Sequence, residues 1–452
     1  MKKITIIFLI TMLIHCVYGQ NREQGDLVDF ELLDAMTVSE MMIELLQYFP
    51  IPPEIDFDGE IYRIEYETLD HLGNPAIASG ALSIPVNTQF AFPMISFQHG
   101  TVIERDAVAS VYGFDIISMM LTGSGYIGLQ PDYLGLGVSE TFHPYHVAEP
   151  YANSIMDMIT ASRQFLEENG IPYNDQLFIT GYSEGGYATL AAQKWMELYH
   201  ADEFPITASA PCAGAYDLSG VMADLFMAEN PYDQPFYLPY SVFAYNETYQ
   251  IYEDINVVLV PEYQDTLFNM FDGNHSSGQI NNFMPSVPLD IFQDEFVNEF
   301  TENMDHPLRI KLAENDLYDW VPQTDTRLYH SMEDELVPYE NSEIAYNAFI
   351  EAGSENVELI TVETGTHAGV APFIILAVFE WFESIKSIDY VYPEGDVNAN
   401  DIVNIIDIIY IIDFILDYLT PTDEEFARSD LNDDGHLDVA DILILVDIIL
   451  EN

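Results

Sequence analysis

Apolar residues along this chain follow two alternating patterns. Short apolar runs of strand length end at glycine-rich turns, and longer segments repeat apolar positions every three or four residues, as one face of a helix does. A buried strand is predicted at 177–180, and a helix is predicted after it through Leu190, Trp195 and Leu198. Strands that alternate with helices predict a mostly parallel sheet, so the fold class is α/β.

The same two patterns predict the other strands and helices. Strands are predicted at 61–70, 76–85, 92–98, 126–131, 206–214, 326–331 and 357–364, and helices at 39–48, 154–168, 340–352 and from the loop at 365–369 to about 386. From Tyr216 to about Asp305 the alternation fails in a segment rich in Tyr and Phe. Because this segment is too long for a loop, it predicts an inserted helical cap.

The first residues predict a secretory signal peptide over 1–19. Lys2 and Lys3 precede an apolar run that is too short to span a membrane, and Gln20 is expected to begin the mature chain. A lipid anchor on Cys16 is the alternative. His15 argues against the anchor, because the position before an anchored cysteine normally takes a small residue.

The composition is that of a globular but very acidic protein. Cys16 and Cys212 are the only cysteines, so the chain without its signal can form no internal disulfide and must rely on core packing, ions or both. The 76 acidic and 12 basic residues give a net charge of −64. Such a surface repels nucleic acid and anionic membranes. A saline habitat and an adaptation for solubility both explain this acidity.

The turn between the strand at 177–180 and its helix has the spacing G-x-S-x-G, in Gly181-Tyr182-Ser183-Glu184-Gly185. A serine at a sharp strand-to-helix turn is typical of a nucleophile elbow. A serine hydroxyl is a poor nucleophile until a base takes its proton and a carboxylate orients that base. The pattern therefore predicts Ser183 as a nucleophile and requires a histidine and an acid after it.

His367 is the predicted base. It follows the last predicted strand in a Gly-Thr-His-Ala-Gly loop, which fits the chain order serine, acid, histidine. His99 falls in the loop expected to bind the oxyanion, and His143 and His146 precede the elbow.

Asp334 is the preferred acid, because it directly follows the strand at 326–331 and precedes His367 by one helix and one strand. Glu333, Asp316 and Asp319 are the alternatives. The oxyanion of a tetrahedral intermediate needs fixed donors, and the predicted donors are the backbone N–H groups of Glu184 and Thr101.

The motifs QHGT, PDYLGLG, GYSEGG, DELVP and GTHAG, in this order, resemble the secretory lipase family of α/β hydrolases over roughly residues 55–386. The resemblance implies an α/β-hydrolase fold over 20–390 with a cap at about 216–305. It also implies carboxylester hydrolysis through an acyl-enzyme on Ser183, Asp334 and His367, without a catalytic cofactor. Some cap aromatics are then expected to line an apolar acyl or aryl pocket.

The C-terminal residues contain two similar loops that begin 34 residues apart. Oxygen ligands at loop positions 1, 3, 5, 7 and 12 are typical of a calcium site, with a backbone carbonyl at position 7. The predicted ligands are Asp396, Asn398, Asn400, Ile402 and Asp407 in the first loop, and Asp430, Asn432, Asp434, His436 and Asp441 in the second.

Aspartate at position 12 and the doubled loop resemble a type I dockerin over 396–452. The resemblance implies a small all-α domain with structural calcium, a cohesin-like scaffold protein as partner, and an extracellular or surface-tethered location. The apolar helices after each loop are predicted not to be membrane spans, because they are short and interrupted by acids such as Asp413 and Asp447.

Two other functions fit the same residues. A serine peptidase or an acyltransferase would use the same triad on another substrate. A calcium-dependent scaffold-binding protein would carry an inert hydrolase domain.

Overall fold

The computed structural model describes residues 22–49 and 52–451. The predicted signal peptide and Cys16 lie outside the described residues. The chain divides into two compact units, one formed by residues up to 87 and 92–387, the other by residues 88–91 and 388–452. Among the described residues, no helix combines the length and the apolar character that a membrane crossing requires.

The first unit contains a mixed sheet in which parallel pairing dominates. Its strands are β1 (Leu27–Met36), β2 (Gly59–Leu69), β3 (Pro75–Pro85), β4 (Phe90–Gln98), β5 (Ile127–Pro131), β6 (Tyr173–Tyr182), β7 (Ala208–Cys212), β8 (Thr326–Ser331) and β9 (Val357–Val362). They lie in the order β1-β2-β3-β5-β4-β6-β7-β8-β9. β1, β2, β3 and β5 pair antiparallel in succession. β5, β4, β6, β7, β8 and β9 pair parallel, so the predicted mostly parallel sheet is confirmed.

Helices cover both faces of this sheet. The helices of the first unit are α1 (Val38–Tyr48), α2 (Ala109–Tyr112), α3 (Ile116–Gly123), α4 (Ala148–Glu168), α5 (Glu184–Tyr199), α6 (Ala223–Met227), α7 (Tyr237–Tyr249), α8 (Ser277–Phe283), α9 (Asp294–Glu302), α10 (Pro307–Glu314), α11 (Glu340–Glu351) and α12 (His367–Glu383). Apolar side chains of α1, α3 and α12 form one core with the sheet, and α4 and α5 pack together on strands of the same sheet. Helices on both faces explain why the central strands β4, β5 and β7 are buried along almost their whole length.

The strand β1 was not predicted from the sequence, because the first strand was placed at 61–70 and only a helix at 39–48 was expected before it. β1 lies at the sheet edge and pairs with β2 alone. It exposes Phe30 at 46% and Leu32 at 51%. Because neither face is deeply buried, its apolar and polar residues do not alternate as they do in a half-buried strand.

The segment predicted as a cap contains no strand that joins the sheet. Between 216 and 305 the chain forms a π-helical turn at Leu218–Met222, the helices α6 to α9, and 3-10 turns at Ile255–Val258, Phe268–Met270 and Pro288–Ile291. Many of its aromatic rings pack on one another, as Phe292 does on Phe296 with ring centroids 4.8 Å apart. These aromatic side chains therefore contribute to a core within the cap itself.

The second unit is small and mainly helical. Its elements are β10 (Asp389–Tyr390), α13 (Ile405–Ile415), α14 (Asp423–Ser429) and α15 (Val439–Glu451). β10 pairs antiparallel with Phe90 and Ala91, which belong to the same unit. Val397, Ile411, Phe414 and Leu445 form its buried core.

A buried acid in α4 makes the stability of the first unit depend on pH. Asp157 accepts a hydrogen bond from Gln24 Nε2 at 3.1 Å, and burial raises the pKa of Asp157 to about 7. The folded state therefore holds a proton that the unfolded chain releases at its ordinary pKa near 4. The stabilisation that comes with this bound proton is fully present below about pH 4 and is lost as the pH rises toward 7.

We predict that Asp157→Asn gains stability relative to the unchanged protein between pH 4 and 7, by at most about 1.4 kcal/mol per pH unit, and keeps a constant advantage above pH 7. Urea unfolding at a series of pH values measures the difference. The exposed acid Asp175 supplies the control, since Asp175→Asn should show a difference that does not change with pH. An equally flat difference for Asp157→Asn would contradict the assignment.

Candidate active site

Ser183 lies at a strained turn between β6 and α5. Its backbone has φ 64° and ψ −123°, a conformation that a non-glycine residue adopts only when its surroundings enforce it. Two glycines make the enforcement possible. A Cβ on Gly185 would overlap the carbonyl oxygen of Gln98, and a Cβ on Gly186 would overlap that of Cys212. The close backbone packing holds the serine hydroxyl at the end of the parallel strands.

The structure brings His367 next to Ser183, although the two residues lie 184 positions apart in the sequence. His367 is the first residue of α12, which Thr366 caps by accepting a hydrogen bond from Gly369 N. His367 Nε2 lies 2.8 Å from Ser183 Oγ, close enough to accept the hydroxyl proton. The other predicted histidine candidates form different contacts: His99 Nε2 lies 3.2 Å from Asp132 O, and His143 contacts Glu184.

Asp334 is the acid that the structure places against His367. Its Oδ2 accepts from His367 Nδ1 at 2.6 Å, and its Oδ1 accepts from the N–H groups of Leu336 and Val337 at 3.0 and 2.8 Å. Burial disfavours the charged form, but the hydrogen bonds from His330 and His367 outweigh it and hold the pKa of Asp334 well below its usual range. The carboxyl group is therefore ionised at neutral pH.

The three alternative acids lie elsewhere. Glu333 Oε2 accepts from Gly365 N at 3.0 Å, Asp316 Oδ1 accepts from Leu218 N at 2.7 Å, and the exposed Asp319 pairs with Lys194.

The residue before the nucleophile and the residue after Asp334 fix the backbone of His367. Tyr182 donates its hydroxyl to His367 O at 2.7 Å, and Glu335 Oε2 accepts from His367 N at 2.9 Å. Sequence reasoning missed both contacts. The glutamate next to Asp334 in DELVP was a visible signal, but its partner lies 32 residues away and only the fold brings the two together.

The two residues predicted to supply oxyanion donors, Glu184 and Thr101, lie close to Ser183. Glu184 begins α5, and its N–H has no helical partner because it lies in the first turn. Gly100 passes so close to the elbow that a Cβ on it would lie 3.8 Å from Ser183 Cβ, which places the following residue, Thr101, beside the nucleophile. Within residues 22–49 and 52–451, neither N–H of Glu184 or Thr101 donates a backbone hydrogen bond.

The loop that carries Thr101 is held by the loop after β5. Tyr133 donates its hydroxyl to His99 O at 3.1 Å, and Thr101 Oγ1 lies 3.0 Å from the hydroxyl of Tyr145. The motif PDYLGLG therefore supports the neighbouring strand's loop, a role that the sequence pattern alone did not define.

The side chain of Glu184 is buried beneath the elbow. It is 2% exposed, and its Oε1 lies 3.0 Å from His143 Nε2 and accepts from the hydroxyl of Tyr151 at 2.8 Å. His143 Nδ1 lies 2.7 Å from Leu134 O. Burial opposes ionisation, but the hydrogen bond and charge of His143 outweigh it and lower the pKa of Glu184.

A pocket opens at Ser183. Its walls come from the elbow, from the loops after β5, β7 and β8, and from the cap. They include Tyr145, His146, Glu184, Ala215, Met222, Phe226, Tyr232, Tyr237, Leu336 and Val337. The cap thus partly encloses the space at Ser183.

The two C-terminal loops repeat one set of hydrogen bonds. In the first loop Asp396 accepts from the N–H groups of Asn400 and Asp401 at 3.0 and 2.6 Å. In the second, Asp430 accepts from Asp434 N at 3.2 Å and from Gly435 N at 2.9 Å. The position-12 acids also match, because Asp407 accepts from Asn404 N and Asp441 accepts from Asp438 N.

The donor set of these loops fits calcium. Asp396, Asp407 and Asp441 are fully buried, and none forms an ion pair within the part of the chain that the structure describes. Buried carboxylates without a positive partner are costly, and hard oxygen ligands are those that Ca²⁺ prefers. Residues with positive φ curl the backbone around each centre: Ala399, Asp401, Asp433 and Gly435.

Two known protein families match the chain, one within the first unit and one within the second. The family model for secretory lipases matches residues 104–384, more than half of the chain, and the model for type I dockerin domains, which bind calcium, matches residues 394–450. No curated protein matches the sequence significantly.

Solved structures resemble the first unit. A rice cell wall degrading esterase, LipA from Xanthomonas oryzae, is 27% identical with a TM-score of 0.73, over 81% of this chain and 100% of its own. A Legionella pneumophila protein described as a hydrolase is 29% identical with a TM-score of 0.73, over 79% and 97% of the two chains. Lipase A of Candida antarctica is 15% identical with a TM-score of 0.60, over 80% and 82%, and shares the fold.

We predict that Glu335→Ala lowers kcat for ester hydrolysis about 10- to 100-fold, because an unfixed His367 backbone misplaces the imidazole. KM should stay unchanged, since the contact is made to His367 and not to substrate. Glu335→Gln should restore most of the rate, because an amide oxygen still accepts from His367 N. Kinetics on a p-nitrophenyl ester measure these effects.

The exposed Glu363, four residues before His367, supplies the control, and Glu363→Ala should leave kcat unchanged. Equal losses in Glu335→Ala and Glu335→Gln would show that the hydrogen bond to His367 N is not what matters.

Proposed function

The chain belongs to the secretory lipase family, and on that premise we propose that it is a secreted serine carboxylesterase or lipase that works through an acyl-enzyme. The observation that carries the proposal is the continuous hydrogen-bond chain from Ser183 Oγ through His367 to Asp334, with distances of 2.8 and 2.6 Å. These are the contacts that an activated serine requires.

In the first half of the reaction, Ser183 Oγ attacks the ester carbonyl carbon while His367 Nε2 takes the hydroxyl proton. The carbonyl oxygen becomes an oxyanion, which the N–H groups of Glu184 and Thr101 stabilise. The carbon–oxygen bond to the alcohol then breaks, and His367 returns the proton to the departing alcohol. Ser183 is left as an acyl ester.

In the second half, water replaces the alcohol. His367 takes a proton from the water as its oxygen attacks the acyl carbon, and the collapse of this intermediate releases the carboxylic acid and returns the proton to Ser183. The ionised Asp334 stabilises the imidazolium that forms in each half and keeps Nδ1 protonated, so that Nε2 faces the serine.

An apolar cavity in the cap supports an apolar acyl group. Its walls include Phe226, Phe296, Phe300, Leu308 and Leu312. His146, Met222 and Phe226 line both this cavity and the pocket at Ser183, so the two spaces adjoin. An esterase similar in structure degrades plant cell walls, which supports an ester found outside the cell as substrate.

The C-terminal unit is proposed to tether the enzyme. The loops that begin at Asp396 and Asp430 would hold two calcium ions through the ten ligands named above, and these ions would neutralise the buried carboxylates. Calcium supplies folding stability to the loops and no step of ester hydrolysis. A cohesin-like protein is the proposed partner, consistent with the match to dockerin domains.

We predict that Ser183→Ala lowers turnover of p-nitrophenyl esters by at least about 10⁴-fold without changing thermal unfolding. The variant should also lose labelling by a fluorophosphonate, which reacts with activated serines. Ser277→Ala, at an exposed site on α8, is the matched control and should keep both properties.

Retained turnover or labelling in Ser183→Ala would refute the nucleophile. Turnover of amides in preference to esters would favour a peptidase, and transfer to an added alcohol in preference to water would favour an acyltransferase. Absence of labelling in the unchanged protein would favour a scaffold protein with an inert hydrolase domain.

We predict that the full-length protein binds two calcium ions and that Asp407→Ala or Asp441→Ala reduces this to one, measured by titration calorimetry. Chelation should increase hydrogen exchange across 396–451, because buried carboxylates then lose their counter-ion, while ester turnover should not change. The exposed Asp447 supplies the control, and Asp447→Ala should still bind two calcium ions. Unchanged exchange in chelator would contradict the calcium-folded tail.

A further inference from the structure

One polar side chain stands between the pocket at Ser183 and the apolar cavity of the cap. Of the three residues that line both spaces, Met222 and Phe226 are apolar and His146 is not. Two other side chains on the wall of the apolar cavity carry hydroxyls, and both already donate: Ser241 to Tyr237 O at 3.0 Å and Tyr245 to His146 O at 2.8 Å. His146 is therefore the polar group that a molecule entering the cavity from the serine would meet.

The position of His146 is fixed on several sides. Its backbone carbonyl accepts from the hydroxyls of Tyr187 and Tyr245 at 3.0 and 2.8 Å. Its ring lies between Tyr145 and Tyr187, with centroid distances of 4.0 and 4.9 Å. The backbone φ is 57°, a conformation in which His and Asn are enriched among non-glycine residues. The imidazole is thus held in place and is not a mobile surface group.

The ring nitrogens of this buried histidine lack a protein partner. His146 is 7% exposed, and in the described ranges of the chain neither ring nitrogen forms a hydrogen bond. Burial lowers the pKa of His146 to about 4, so the ring is neutral at pH 7 and presents one donor and one acceptor. A buried polar group costs free energy unless a partner satisfies it, and the two adjoining spaces are where a partner can reach the ring.

We infer that His146 determines specificity by binding a hydroxyl group on the acyl chain, close to the ester carbonyl. The inference rests on the proposed function, since it takes Ser183 as the attacking group. The position of the hydroxyl on the acyl chain follows from where His146 lies. Because His146 lines the serine pocket itself, the hydroxyl has to lie within the first few carbons of the acyl group. The rest of the acyl chain then enters the apolar cavity. The substrate class is an ester of a short-chain hydroxy acid.

The test compares two esters that differ by one hydroxyl, p-nitrophenyl 3-hydroxybutyrate and p-nitrophenyl butyrate. In the unchanged protein we expect kcat/KM to favour the hydroxylated ester by at least about tenfold, the effect of one buried hydrogen bond. His146→Leu should bring the ratio to about one or below. His146→Asn, which tolerates positive φ and can still bind a hydroxyl, should keep part of the preference.

The ratio of the two kcat/KM values is taken within each variant. A partly folded preparation lowers both rates equally and therefore does not change the ratio. Ser241→Ala is the matched control, because it removes another hydroxyl from the wall of the same cavity, and it should keep the preference. A ratio near one in the unchanged protein, or an undiminished ratio in His146→Leu, would overturn the inference while leaving the serine esterase proposal standing. Failure of the unchanged protein to cleave either ester, together with absence of fluorophosphonate labelling, would overturn both.

Discussion

The close packing of backbone around Ser183 is the constraint on which the rest of the first unit depends. A serine at φ 64° is strained, and the strain persists only because β6, α5 and the carbonyls of Gln98 and Cys212 leave no room for another arrangement. The same packing exposes the N–H of Glu184, since the first turn of a helix has no internal acceptor for it. The nucleophile and one oxyanion donor therefore arise from one local geometry.

Buried charge around this elbow is balanced by hydrogen bonds from several elements. Glu184 is balanced by His143 and Tyr151, and Asp334 by His330, His367 and two backbone N–H groups. Each carboxylate stays ionised because its hydrogen bonds outweigh the cost of burial. His146 is the exception, since burial leaves it neutral and without a partner at the mouth of the cap cavity.

The two units are stabilised in different ways. The first unit is large enough to bury an extensive core on both faces of its sheet. The second has a small core around Val397 and Leu445, and its loops contain the fully buried acids Asp396, Asp407 and Asp441. The calcium proposed for these loops would neutralise the buried acids.

The sequence by itself determined the order of the elements, the elbow, the doubled loops and the family, because periodicity and short motifs are local. Its preferences for Asp334 and His367 stay predictions of role, although the structure brings their side chains together with Ser183. The edge strand β1 was missed because its side chains are little buried. Only the tertiary structure decided that Glu335 and Tyr182 hold His367, that Tyr133 supports the Thr101 loop, and that His146 stands between two cavities. These are contacts between residues far apart in the chain, and no local pattern encodes them.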